Sequence, residues 1–215
     1  MALSRKIDEI PSDAVLLSRD EVLKYEWKLI EQWTPESDVW PIRYGVAILG
    51  VASGLSSLLI NNHYRVKLRL GTYARFATYL PCVAIPTMMS CFSHNEFITN
   101  SVLLQNECPV CLEVRAASFQ TLLSTIFPIV TVPLATFNFA LRYNTYRLPS
   151  ITEKPKEVFK LWWKFTKPIR YPLYYNIAFQ CILAMGVTYF EGRSFEKLQT
   201  AIAKLEHDYE RKHTL

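Results

Sequence analysis

Residues 116–141 read AASFQTLLSTIFPIVTVPLATFNFAL, 26 residues without Asp, Glu, Lys or Arg. As a helix rising about 1.5 Å per residue, this stretch reaches roughly 39 Å, more than the ~30 Å hydrocarbon core of a bilayer. Three further charge-free stretches accompany it. They are 44–62 (YGVAILGVASGLSSLLINN), 76–95 (beginning FATYLPCVAIPTMMSCF) and 171–190 (YPLYYNIAFQCILAMGVTYF), of 19, 20 and 20 residues. All 24 Lys and Arg and all 19 Asp and Glu of the 215-residue chain lie outside these four segments. The mean hydropathy of +0.08 hides this segregation. The expected fold is therefore all-α: a four-span transmembrane helical bundle with amphipathic N- and C-terminal helices. The expected divisions are an extramembrane segment 1–43, a membrane domain 44–190 and a helical tail 191–215. Composition excludes disorder, collagen-like sequence and a small disulfide scaffold. A soluble helical protein is the alternative to membrane insertion.

The flanks agree with spanning. Trp40, Tyr44, Tyr64, Tyr73, Tyr143, Trp162, Trp163 and Tyr171 crowd the segment ends, where rings with one polar edge favour the headgroup boundary. Loop 63–75 holds Arg65, Lys67, Arg69 and Arg75 and no acid. Loop 142–170 holds eight bases, among them Arg147 and Lys154, against Glu153 and Glu157. Loop 96–115 is acidic. The positive-inside bias places both basic loops on the side of insertion, cytosol or matrix, with the termini opposite. Lys interleaved with Phe and Trp over 154–170 suits anionic lipid headgroups rather than nucleic acid. The start, MALSRKIDEIPSD, has no apolar h-region and mixes acids with bases, so any organelle address is expected to be internal.

Pro81-Cys-Val-Ala-Ile-Pro86 and Pro128-Ile-Val-Thr-Val-Pro133 repeat one pattern in the second and third spans. Each proline removes a backbone donor, so kinks are expected at all four, with nearby hydroxyls (Thr78, Thr87, Ser90, Thr125, Thr131, Thr136) reaching the freed carbonyls. Gly50 and Gly54, four apart, make a flat stripe for close helix packing, within the bundle or against a partner. Two amphipathic stretches read as interaction surfaces. Residues 18–33 open with the capping box Ser18-x-x-Glu21, and Phe195, Leu198, Ile202, Leu205 and Tyr209 form a stripe in the tail.

Cys108-Pro-Val-Cys111 is the one reactive-looking motif, placed in the loop before the third span. It reads as a structural staple or free thiols, with redox chemistry or half a zinc site as alternatives. Zinc needs two further ligands, and no second Cys pair exists. Cys82, Cys91 and Cys181 read as packing residues. With no acid or base inside the spans, no phosphate loop and no nucleophile–base set, neither a catalytic site nor a cofactor is expected.

Ser4-Arg-Lys-Ile7, Leu80-Pro-x-x-x-Ile85-Pro86, Cys108-x-x-Cys111, Phe127-Pro, Val132-Pro, Ala140-Leu-Arg-Tyr143, and Trp163 with Lys167-Pro168 together resemble the transmembrane protein 126 family. The resemblance implies a mitochondrial inner-membrane protein that assists assembly of respiratory complex I. Such a protein binds other assembly factors and newly made membrane-arm subunits without catalysis. A thiol–disulfide oxidoreductase built on Cys108 and Cys111, or a small-solute carrier built on the paired proline helices, is the rival reading. Membrane solvation predicts that the protein stays in the pellet after carbonate extraction. Recovery in the supernatant would favour a soluble fold.

Overall fold

The computed structural model describes residues 18–105, 107–146 and 155–213, and within helices it leaves the side chains of Pro155, Glu206, Tyr209, Glu210 and His213 undescribed. Ser4–Ile7, Arg147, Lys154 and the Tyr209 side chain therefore lie outside the described residues. Among the described residues eight α-helices follow in order: α1 (Arg19–Gln32), α2 (Trp40–Lys67), α3 (Arg75–His94), α4 (Asn100–Leu104), α5 (Pro109–Thr121), α6 (Phe127–Arg142), α7 (Pro155–Thr166) and α8 (Arg170–His213). Single π-turns at Asn95–Thr99 and Leu122–Ile126 join α3 to α4 and α5 to α6 without a break. Four helical runs are long and apolar enough to span a membrane: Trp40–Lys67, Arg75–Leu104, Pro109–Arg142 and Lys156–Leu205. The protein is a four-span helical bundle.

α2 is the centre. In its most apolar window 56% of residues are buried, against 22% for the second run and 17% for the fourth, so α3 and α8 are the outer helices. Glycine explains the close contacts. A Cβ on Gly50 would strike Cys91 Sγ, and one on Gly54 would lie 2.6 Å from Thr87 Oγ1, both on α3. On another side of α2, a Cβ on Gly45 would lie 2.7 Å from Val187 and 2.8 Å from Glu191 Oε1, both on α8.

Each helical run outlasts its charge-free segment, which corrects several expectations. Loop 96–115 shrinks to a short connection after Leu104, because the π-turn, α4 and the start of α5 absorb most of it. The boundary at 190/191 falls inside α8, a single helix of 44 residues. These extensions form a second core beyond the charge-free segments, where Ile30, Val39, Ile42, Val102, Leu103, Leu112, Phe195 and Leu198 are buried together. The amphipathic face of α1 meets Phe195, Leu198 and Ile202 of the tail in it, covering this protein's own extensions, whereas Leu205 is exposed. Ser18 and Glu21 form the expected capping box at the start of α1. Arg43 Nη2 donates to Ile30 O at 2.6 Å and Glu31 O at 2.7 Å, closing its end.

At the other end, α7 lays Val158, Leu161, Trp162 and Phe165 over a core containing Ile60, Tyr64, Val132 and Phe137. The Tyr64 hydroxyl hydrogen-bonds Thr166 Oγ1 at 2.7 Å. Arg65, expected among the bases of loop 63–75, is buried near the end of α2. Its guanidinium donates to Thr78 Oγ1 (2.5 Å), Gly71 O and Tyr73 O (both 2.9 Å) and Ala74 O (3.3 Å). These bonds hold a turn in which Arg69, Gly71 and Ala74 all have positive φ, a conformation costing non-glycine residues ~1–2 kcal/mol each.

The prolines do not interrupt the α-helix at 81, 86 or 133. The irregular turn sits at Leu122–Ile126, just ahead of Pro128. Pro128 has no N–H for Ser124 O and its ring crowds that carbonyl; a wider turn relieves both. The hydroxyls do not reach the freed carbonyls. Thr131 donates to Phe127 O, Thr136 to Val132 O and Thr87 to Val83 O. Instead Trp162 Nε1, from α7, donates to Ile129 O at 3.1 Å; Ile129 is the residue whose carbonyl Pro133 leaves without its helical donor. Trp162→Phe is expected to cost about 1–3 kcal/mol, the penalty of an unsatisfied buried acceptor. In a Pro133→Ala background, which restores the backbone donor, the cost should fall by at least half, measured by denaturation in detergent as a double-mutant cycle.

Candidate functional site

Lipid supplies no hydrogen bonds, so polar side chains within the spans must find partners in one another. Many do so along one seam, although the Ser57 hydroxyl and the Asn61 amide, both buried on α2, have no partner among the described residues. Gln120, buried on α5, donates through Nε2 to Leu49 O (3.0 Å) and Gln180 Oε1 (2.8 Å), while its Oε1 accepts from Ser90 at 2.6 Å. Gln180 donates to Ala52 O (3.0 Å) and Ser56 Oγ (2.7 Å). Ser56 donates to Asn176 Oδ1 (2.8 Å), and Asn176 Nδ2 donates to Thr125 Oγ1 (2.8 Å). α2, α3, the α5–α6 run and α8 are all included.

The seam continues to an ionisable pair. His94 Nε2 lies 3.1 Å from Glu191 Oε1, both side chains are buried, and Thr99 donates to the same carboxylate at 3.4 Å. Gly45 leaves the space that Glu191 occupies. Sequence reading missed this site, since His94 and Glu191 stand at the edges of charge-free segments 97 positions apart. Gln120, Asn176 and Gln180 were visible as amides in apolar runs, a signal that counting only charges overlooked.

The seam is closed. The junction of Ser90, His94, Ala116, Phe119, Gln120 and Leu123 has no room for a water molecule. The Gly50/Gly54 stripe is occupied by Cys91, Thr87 and Val83 of α3, so it offers no free groove. Cys82 is buried in the core near α7, and Cys181 lies 3.0 Å from Thr121 Oγ1 inside the bundle. Among the described residues no group of three or more His, Cys, Asp and Glu stands together to hold a metal.

Cys108 and Cys111 are both exposed and free. Cys108 is the N-cap of α5, not part of a loose loop, and Pro109 is the first helical residue. The two sulfurs are 2.7 Å apart, and Cys111 N–H donates to Cys108 Sγ at 3.2 Å. The Cys111 thiol, then its N–H, stabilise the Cys108 thiolate and hold that thiol below its ordinary range, against the opposing charge of Glu107. A groove of about 450 Å³ lies on a neighbouring face of α5, lined by residues including Val102, Gln105, Pro109, Leu112, Tyr189 and Arg193 but by neither cysteine.

The lateral surface is apolar. Phe76, Leu80, Met88 and Phe92 on α3, and Tyr175, Phe179 and Ile182 on α8, are exposed. On α7, Phe159 and Trp163 are exposed together with Lys156, Lys160 and Lys164.

A family model described as Transmembrane protein 126 matches residues 22–208. The Drosophila melanogaster protein named Transmembrane protein 126 is 46% identical over 216 residues, covering 99% of this chain and 97% of that protein. Transmembrane protein 126A of Rattus norvegicus is 27% identical, and that of Mus musculus 25%, each over 177 residues covering 82% of this chain and 86% of theirs. No solved structure matches.

Two outcomes follow from the seam and the glycines. Gln120→Leu leaves Ser90 and Gln180 short of a partner and should lower stability by about 1–3 kcal/mol, read by thermal unfolding in detergent. Gly54→Leu forces α2 away from α3 and should cost at least ~1–3 kcal/mol in the same measurement. Unchanged unfolding of Gly54→Leu would mean that α3 does not pack there.

Proposed function

The chain belongs to the transmembrane protein 126 family, and from that premise we propose that it is a scaffold for assembly of respiratory complex I. It works in the mitochondrial inner membrane, binding assembly factors and membrane-arm subunits without catalysis. Its basic loops face the matrix, and the Lys-rich side of α7 lies against anionic headgroups.

One observation carries this reading: the apolar outer faces of α3 and α8. A newly made membrane subunit needs a lipid-facing surface covered until its own neighbours arrive. In lipid, helices associate by packing rather than by hydrophobic expulsion, so an apolar face gives reversible contact. Met88 and Met89 add soft, adaptable side chains on α3. Gln120, Gln180 and Asn176 turn inward, away from those faces. The closed seam also counts against a solute path, since a carrier needs a polar cavity open to one side.

Affinity purification from mildly solubilised mitochondria, followed by mass spectrometry, tests the proposal. Complex I membrane-arm subunits and assembly factors should be enriched. A Leu80→Ala, Met88→Ala, Phe92→Ala variant, which removes contact area without adding charge, should recover at least fivefold less. Recovery of complex I subunits no greater than with an unrelated inner-membrane bait would end this reading.

A further inference from the structure

The scaffold reading leaves Cys108 and Cys111 without a role. They are exposed, while Cys82 is buried and Cys91 and Cys181 are half-buried. Their sulfurs face each other across the first turn of α5. We propose that Cys108 and Cys111 are a reversible dithiol–disulfide couple that exchanges with an incoming disulfide at the exposed N-terminus of α5, with Cys108 attacking and Cys111 resolving.

The geometry assigns the two roles. As N-cap, Cys108 directs its sulfur at the free N–H groups of the first helical turn, where negative charge is favoured. The donated Cys111 N–H and the adjacent thiol stabilise its thiolate, which is the nucleophilic form. Cys111, one turn on, is within reach of Cys108 Sγ and needs no backbone rearrangement to attack it. Pro109 between them fixes the helix start without using an N–H.

The Cys108 thiolate attacks one sulfur of a disulfide R–S–S–R′, forming Cys108–S–S–R and releasing R′–S⁻, which takes up a proton. Cys111 then loses its proton, and its thiolate attacks Cys108 Sγ. The Cys108–R disulfide breaks, and R–S⁻ leaves and is protonated. Two electrons pass from the protein dithiol to the incoming disulfide, giving RSH, R′SH and a Cys108–Cys111 disulfide. The reverse sequence oxidises an incoming dithiol.

The test uses the full chain in detergent, titrated with glutathione disulfide against glutathione. Thiols are counted by maleimide-polymer gel shift and adducts located by peptide mass. The native chain should lose two thiols together, without a lasting glutathione adduct. Cys111→Ser should accumulate one glutathione on Cys108, and Cys108→Ser should form an adduct at least tenfold more slowly. Retention of both thiols across the series, or equal adduct rates in the two variants, would overturn the proposal. A second arm runs Cys111→Ser from alkylated membranes on a non-reducing gel. A protein-sized adduct identifies a polypeptide disulfide as the source, a glutathione-sized mass identifies the small-molecule pool, and neither adduct overturns the proposal. Complex I recovery is not a readout in either arm, so failure of the scaffold reading leaves this result distinct.

Discussion

A hydrogen-bonding group within a bilayer has no water to fall back on, and its cost if left alone is several kcal/mol. That constraint organises this bundle. Gln120 and Gln180 join α5 to α8 directly, and both also reach backbone carbonyls of α2, at Leu49 and Ala52. Those carbonyls already serve the helix, so each glutamine uses a second lone pair on a fixed backbone. The result pins helix register: sliding α8 by one turn would separate Gln180 from Gln120 and Asn176 from Ser56. Apolar packing alone specifies register weakly in lipid, because tails and leucine side chains are equally apolar.

Close approach of the helices is the condition for such a seam. Gly50 and Gly54 let α3 settle on one face of α2, and Gly45 admits Glu191 on another. The buried His94–Glu191 contact then ties α3 to α8, the two outer helices. Inward-facing polarity leaves the outward faces apolar, and the same division suits a surface that exchanges lipid for protein neighbours.

The ends of the bundle follow a different rule. There water competes, and stability comes from buried area and from capping. α1 crosses the extended ends of α4 and α8, with Arg43 closing its last carbonyls. At the opposite end Arg65 gathers three carbonyls and a hydroxyl, and Trp162 donates to the carbonyl that Pro133 leaves free. A proline that looks like a helix breaker in sequence thereby becomes an attachment point for a surface helix.

The absence of charge across four stretches of bilayer length was enough to establish the span number and the all-helical class. The capping box placed the start of α1 just as directly, because both signals are local and depend only on neighbouring residues. The seam was partly legible, as amides in apolar runs, but nothing in the linear order paired Gln120 with Gln180 or His94 with Glu191. Those pairings depend on which helix faces which, and that is set by where glycine permits contact. Arg65 read as a loop charge because position relative to a span end does not reveal burial. Cys108 read as a loop thiol because an N-cap is defined by the helix that follows it. Whether Gly50 and Gly54 face a partner or α3, and whether α1 stands free, was likewise decided only when the helices outran their charge-free segments and packed together.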